Sequence, residues 1–175
     1  MNPILQTLQT EIASALNSLD AAQTQLRPPA NPGKWSIQQI IEHLLLTYSA
    51  SEAAINARIA KRSPTKATPS LRQRVQQYAV LKLSYLPTGR PAPPAVTPPT
   101  VVPPRSGREL TQATHQHLSR IDVLSTEAKS LFGDNQCASH MVLGPLSADQ
   151  WRMFQLIHGR HHLKQIAAIR KAHNL

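Results

Sequence analysis

The chain has 175 residues and a formal net charge of +10, and its single cysteine, Cys137, excludes an intramolecular disulfide. Apolar residues make up 41% of the sequence but aromatic residues only 4%, so the interior must be mainly aliphatic, which favours helices over a β-sandwich. No run approaches the roughly 20 apolar residues that span a bilayer, and the N-terminus lacks a basic stretch before an apolar one. We therefore expect one soluble, cytoplasmic domain over residues 1–175, with no membrane partner.

The positive charge is concentrated in the middle of the chain. Residues 53–108 contain ten Lys and Arg and no Asp or Glu, whereas the rest of the chain contains nine of each sign. Such an excess is typical of proteins that bind nucleic acid or another acidic surface. Because only Tyr78 and Tyr85 could stack on bases there, and no groove-reading motif is present, nucleic acid is the less favoured partner.

Four segments have the three-and-four spacing of apolar residues that predicts an amphipathic helix. The first carries this spacing from Ile4 to Leu19. The other three begin with a serine that is followed three residues later by Gln or Glu, the pattern of a capping box, at Ser36, Ser106 and Ser147. Pro64 sets the latest end of the second helix, and Gly133 is predicted to end the third.

A basic, Pro-rich connection, residues 63–106, separates the second and third helices and holds ten of the 15 prolines. Residues 70–84 could form a short helix, whereas residues 87–104, with eight prolines, should be extended. A connection of this length can return the chain to its starting end, which allows the second and third helices to run parallel. The sequence therefore predicts an all-α four-helix bundle with a long crossover, and a loop over residues 134–146.

Three of the eight histidines have the spacing of a metal site. His158 and His162 are four residues apart on one helix face, so both rings can reach one cation, and His43 could supply a third ligand from the second helix. Three imidazoles leave a position open for water or substrate. In the alternative interpretation, His43 and His158 are hydrogen-bonded core residues and His162 lies at the surface. His161 could also replace His162 as the ligand.

Three stretches together resemble the DinB-like superfamily: WSIQQIIEHL at 35–44, HMVLGPL at 140–146 and HGRHHLKQI at 158–166. The resemblance extends over nearly the whole chain. It implies a four-helix bundle, commonly a homodimer, in which His43, His158 and His162 hold a divalent ion that is zinc, nickel or iron. Some members transfer a low-molecular-weight thiol to an electrophile, relatives isomerise maleylpyruvate with such a thiol, and many have no known activity.

The resemblance thus implies a metal-dependent thiol S-transferase, or a related hydrolase, that acts on a small electrophilic substrate. The ion would lower the pKa of a bound thiol or water. His140, three residues from Cys137, is a candidate proton carrier, with loop packing as the alternative, and Gln165 either orients a ligand or is a buried amide. Two other classes stay open: a metal-binding bundle without catalysis, and a basic protein that binds nucleic acid or another anion.

Overall fold

The structure, a computed structural model, describes residues 1–87, 89, 91–101 and 103–175. Four long helices in these residues form the body of the molecule, with a seven-residue helix between the second and third. The helices are α1 (Pro3–Leu16), α2 (Ile37–Ala60), α3 (Leu71–Gln77), α4 (Gly107–Phe132) and α5 (Ala148–Ala172). The predicted all-α bundle and the short helix in the connection are thus confirmed. None of the helices described is both long and apolar enough to traverse a bilayer.

The helix starts follow local rules that the sequence shows. The capping boxes predicted for α2, α4 and α5 are all present, and a fourth begins α3 at Ser70. In each box the serine oxygen accepts a backbone N–H three residues on, which satisfies an otherwise unpaired donor. α1 is shorter than predicted and ends at Leu16, because Asn17 adopts an extended backbone conformation. α2 ends before Pro64 and α4 ends at Gly133, as predicted.

Ion pairs between helices show that α2 and α4 run in the same direction. Glu42, early in α2, pairs with Arg105 at the start of α4. Further along both helices, Glu52 of α2 pairs with His117 of α4, and its carboxylate oxygen lies 2.6 Å from the Nδ1 of His117. The parallel arrangement that the long connection allows is therefore what the chain adopts.

The last helix runs against α4. Near the start of α5, Arg152 pairs with Asp122 and Asp149 pairs with Lys129, and both partners lie in the second half of α4. Gln155, in the first third of α5, donates from Nε2 to the Oγ of Ser51, which lies just past the middle of α2. α5 therefore presents its middle turns to the N-terminal half of α2, which is where the histidines lie.

The segment predicted as a loop, residues 134–146, contains a β-hairpin instead. Its antiparallel strands are β1 (Gln136–His140) and β2 (Gly144–Ser147). Ala138 pairs with Leu146, and both side chains are buried at one end of the bundle. Gly144, with a φ of 72°, closes the turn in a conformation that glycine adopts without steric cost. Strands this short form through packing rather than through local propensity, so the sequence pattern did not reveal them.

The connection between α2 and α4 has two parts. The first is α3, followed by a π-helical turn over Tyr78–Lys82, and it lies beside the hairpin. The second, residues 91–101 and 103–105, is extended except for a 3-10 turn over Pro94–Val96, and it crosses the N-terminal half of α2. We call this second part the strap.

Candidate metal centre

Three histidine Nε2 atoms converge between α2 and α5. The Nε2 of His158 lies 3.1 Å from that of His162 and 3.3 Å from that of His43. One ring nitrogen from each histidine lies within 4.8 Å of the other two, so one ion at the usual distance of about 2.1 Å from each could bind all three. His161 lies outside this group, and its Nε2 faces the side-chain amide of Gln165 instead.

The helices place these rings from opposite directions. His43 lies in the buried stripe of α2, between Ile40 and Leu44. On α5 the two histidines are separated by one helical turn, as their spacing predicts, so their rings lie on the same face, where they meet edge to face at an interplanar angle of 84°. The ring centroids of His43 and His162 are 4.7 Å apart. The structure thus brings together the three histidines that the sequence singles out.

The strap sets the tautomer of His43. The Nδ1 of His43 lies 2.7 Å from the backbone carbonyl oxygen of Val96. A carbonyl can only accept, so this Nδ1 carries the proton, and in the neutral ring Nε2 is left with a free lone pair. The free lone pair is the one that faces the other two histidines.

Gln165 sets the tautomer of His162. Its Nδ1 lies 3.0 Å from Gln165 Oε1, and donation to that oxygen leaves Nε2 unprotonated. The Nε2 of His158 can donate a single proton, to one of the two lone pairs beside it. The second lone pair then has no partner, whereas one cation at the centre would satisfy all three. The donor set therefore fits a divalent metal ion, and Gln165 lies where an orienting residue is expected.

Burial keeps the three rings neutral. It lowers the pKa of His162 to about 3 and that of His158 well below its usual value, with the neighbouring histidines adding to both shifts. Burial also lowers the pKa of His43, although the hydrogen bond to Val96 acts in the opposite direction. Metal-bound imidazoles must be unprotonated at the coordinating nitrogen, so the site holds its ligands in the required form near neutral pH.

Aromatic rings surround the triad. Trp35 lies with its ring centroid 5.0 Å from that of His43, and Phe154 stacks on His158 at 5.3 Å and 11°. The Nδ1 of His158 is buried and has no hydrogen-bond partner among the described residues. His43 and His162 are buried, whereas His158 is half-buried. The rings of Trp35 and Phe154 therefore shield His43 and His158.

His140 and Cys137 lie in the hairpin, outside the triad. The Nδ1 of His140 accepts the backbone N–H groups of Val142 and Leu143, both at 3.1 Å, so its own proton is on Nε2. Its ring contacts Phe154, at 4.5 Å between centroids, and burial lowers its pKa to about 4. Burial raises the pKa of the Cys137 thiol to about 11, which keeps it protonated. The role of His140 as a proton carrier stays a prediction.

Sequence reasoning missed two contributors to the site. The carbonyl of Val96 has no side-chain signature, and nothing in the pattern links residue 96 to residue 43. Phe154 could have been found, because it lies four residues before His158 and therefore on the same helix face. Trp35, just before the Ser36 cap of α2, also lies with its ring against His43.

A bundle in which the second and the last long helices bring three neutral imidazoles together defines a class of helical domains able to hold a metal ion. The family model of the DinB superfamily matches residues 4–166, and the chain belongs to that superfamily. The resemblance of the three sequence stretches is thus confirmed. No curated protein and no solved structure matches the chain significantly.

Proposed function

We propose that this DinB superfamily protein binds one divalent metal ion through His43, His158 and His162 and transfers a small thiol to an electrophilic substrate. The observation that carries the proposal is the convergence of three neutral Nε2 atoms, two of which are fixed in the coordinating tautomer. An ion bound there lowers the pKa of a thiol or water, which supplies a nucleophile near neutral pH. Zinc, nickel and iron all suit three imidazoles, and we propose one of these as the ion.

The chain itself positions and encloses the site. Val96 and Gln165 hold the outer nitrogens of two ligands, so the rings are oriented before any ion arrives. Trp35 and Phe154 form apolar walls that keep water away from the buried side. In this proposal His140 gives or takes a proton at Nε2, the nitrogen that its hairpin contacts leave available.

A bundle that holds metal without catalysis is the second candidate, and one observation favours it. His140 and Cys137 are the titratable groups of the hairpin beside the site, and both have pKa values far from neutral. The Nδ1 of His140 is also committed to the backbone of the turn. A general acid or base works best with a pKa near the working pH, which neither group has.

Elemental analysis of the purified protein tests the metal site. We expect about one zinc, nickel or iron ion per chain, since one set of three ligands is present. His43→Ala and His162→Ala should each lose the ion, because two remaining imidazoles bind a divalent ion far more weakly. His161→Ala is the matched control and should retain it. Full metal content in His43→Ala would contradict the proposal.

A thiol-transfer assay then separates the two candidates. The metal-loaded protein is given a low-molecular-weight thiol and a small electrophile, with and without a chelator. Transfer that stops with the chelator and in His43→Ala supports the enzyme. Retention of metal without transfer supports the non-catalytic bundle. His140→Asn keeps an acceptor for the turn amides, so loss of transfer in this variant with unchanged metal content would show that His140 moves a proton.

A further inference from the structure

α3 is an amphipathic helix whose apolar side faces solvent. Leu71, Val75 and Tyr78 are four and three residues apart, so they lie along one side of the helix and the turn that follows it. They are 80%, 63% and 61% exposed. Leu83 and Tyr85, just beyond the π-helical turn, are exposed as well. Large apolar side chains gathered at one surface mark a site of interaction more often than chance exposure does.

The polar side of α3 faces the protein. Gln77 donates from Nε2 to the carbonyl oxygens of Leu143 and Pro145, at 2.8 and 2.9 Å. The side chain of Gln73 lies close against Gly144. A Cβ atom at position 144 would be 2.5 Å from the Cδ of Gln73. This orientation is the reverse of that in α1, whose leucines are fully buried. The hairpin therefore holds α3 by its glutamines and leaves the apolar stripe outward.

Basic residues flank the apolar stripe. At about 100° per residue, Arg72 and Arg74 project to either side of it, and both are exposed. Lys82 is exposed at the end of the π-helical turn. The sequence has no acidic residue between positions 53 and 108. The acidic residues at the adjacent ends of α4 and α5, Asp134 and Asp149, pair with Lys129.

We propose that this surface, which we call the α3 face (Leu71, Arg72, Arg74, Val75, Tyr78 and Lys82), docks on an anionic lipid surface. The aliphatic and tyrosine side chains enter the headgroup region, while the basic groups remain at the level of the lipid phosphates. The sequence-based expectation of no membrane partner rests on the lack of a spanning segment, and a surface contact needs none. The inference does not depend on the metal site.

Two other occupants fit the α3 face less well. A two-fold axis through it would bring the basic residues of one copy close to those of the other, with no acidic residue of the face to pair them. Nucleic acid would pair with the basic groups and could stack one base on Tyr78, but Leu71 and Val75 offer no further aromatic plane. A lipid surface uses both the charge and the aliphatic side chains.

Vesicle co-sedimentation of the full chain tests the proposal. We expect binding to phosphatidylcholine vesicles that contain about 30 mol% phosphatidylglycerol, and little binding to pure phosphatidylcholine. The triple variant Leu71→Ser, Val75→Ser, Tyr78→Ser should reduce the partition coefficient roughly tenfold or more, because it removes the inserting side chains. The double variant Arg72→Gln, Arg74→Gln should also weaken binding and should reduce its dependence on salt.

Matched controls carry the same kinds of substitution at exposed positions outside the α3 face. Val123, 66% exposed on α4, is changed to Ser, and Arg108 and Lys171, both exposed, are changed together to Gln. These variants should bind vesicles like the parent chain, and thermal unfolding should be the same in all of them. Three results would overturn the proposal: equal binding to neutral vesicles, equal losses in the controls, or no binding to anionic vesicles.

The oligomeric state decides whether the α3 face belongs to another occupant. If sedimentation equilibrium shows a dimer that the triple variant dissociates, the face is an interface between copies and the lipid proposal is wrong. If duplex DNA binds, loses affinity in the arginine variant, and competes fully with the vesicles, the surface serves nucleic acid instead. A dimer that is unaffected by the triple variant uses another face and supports the assignment.

Discussion

The two parts of the connection between α2 and α4 meet the bundle in opposite ways. α3 turns glutamines toward the protein and apolar side chains toward solvent. The strap is held mainly through its backbone carbonyls, and at its end Arg105 adds an ion pair with Glu42. The two parts also differ in composition, since the first carries Arg72, Arg74 and Lys82, whereas the described part of the strap is rich in proline and has Arg105 as its one basic residue. The first part presents a surface that points outward, and the second closes the metal centre.

Because proline lacks a backbone N–H, most of the backbone hydrogen bonds that the strap makes to α2 are ones in which its carbonyl oxygens accept. Its carbonyls accept from three donors of α2: Gln38 Nε2 reaches Pro103 at 2.9 Å, and Gln39 Nε2 reaches Pro99 at 3.0 Å. The third donor is the Nδ1 of His43. A segment rich in acceptors is thus matched by a helix face rich in donors. Because one of those donors is a candidate metal ligand, the strap and the metal centre share a side chain.

Within the connection and its contacts, the largest effect is expected for Gln38→Leu. The Gln38 side chain is fully buried, and its oxygen accepts from Gln25 Nε2 at 2.6 Å and from the backbone N–H of Arg105 at 2.9 Å. Leucine leaves these groups and the Pro103 carbonyl unpaired, which should lower the free energy of unfolding by about 2–4 kcal/mol in chemical denaturation. Gln112→Leu, at an exposed position of α4, is the control. Equal effects in the two variants would mean that the strap is not held by these bonds.

The second-largest effect is expected when metal binds, which should slow hydrogen exchange in the strap but not in α3. An ion on the Nε2 of His43 fixes the ring whose Nδ1 holds the strap, so hydrogen exchange of the amides of Val96 and Thr97 should slow by about tenfold. Exchange in α3 should not change, because α3 is hydrogen-bonded to the hairpin through Gln77 and not to the histidines in the described part of the chain. Mass spectrometry of the protein with and without zinc measures both. Equal slowing in the two segments would indicate a general stabilisation rather than this link.

A smaller loss is expected where α3 is anchored. Gln77→Leu removes both bonds to the hairpin, but the position is half-buried and water can replace part of what is lost. We expect the free energy of unfolding to fall by about 1 kcal/mol, and exchange in α3 to rise while exchange in the strap stays unchanged. A loss as large as that of Gln38→Leu would show that the two parts are held equally firmly.

The sequence-based predictions that the structure confirms depend on local patterns of residues. A capping box spans four residues, so Ser36 and Ser147 mark helix starts without knowledge of the rest of the fold. The spacing of His158 and His162 likewise places two rings on one face. The hairpin and the bond from His43 to Val96 depend on segments that meet only in the folded chain, and the second uses a backbone atom that every residue has. Sequence patterns carry little information about such contacts.

The smallest change in the free energy of unfolding is expected for substitutions on the outer side of α3. Such a substitution tests directly whether the apolar side chains of α3 face solvent. Val75→Ser should change the free energy of unfolding by less than about 0.5 kcal/mol, since the side chain is exposed in both the folded and the unfolded chain. Leu8→Ala in α1 should cost about 2–5 kcal/mol, because Leu8 is fully buried and contacts Gly159. A Val75→Ser loss that grows with protein concentration would mean that a second copy covers the stripe. If the loss is small at every concentration, Val75 does not stabilise the fold or an association of two copies, as expected for a side chain that is available for the lipid contact.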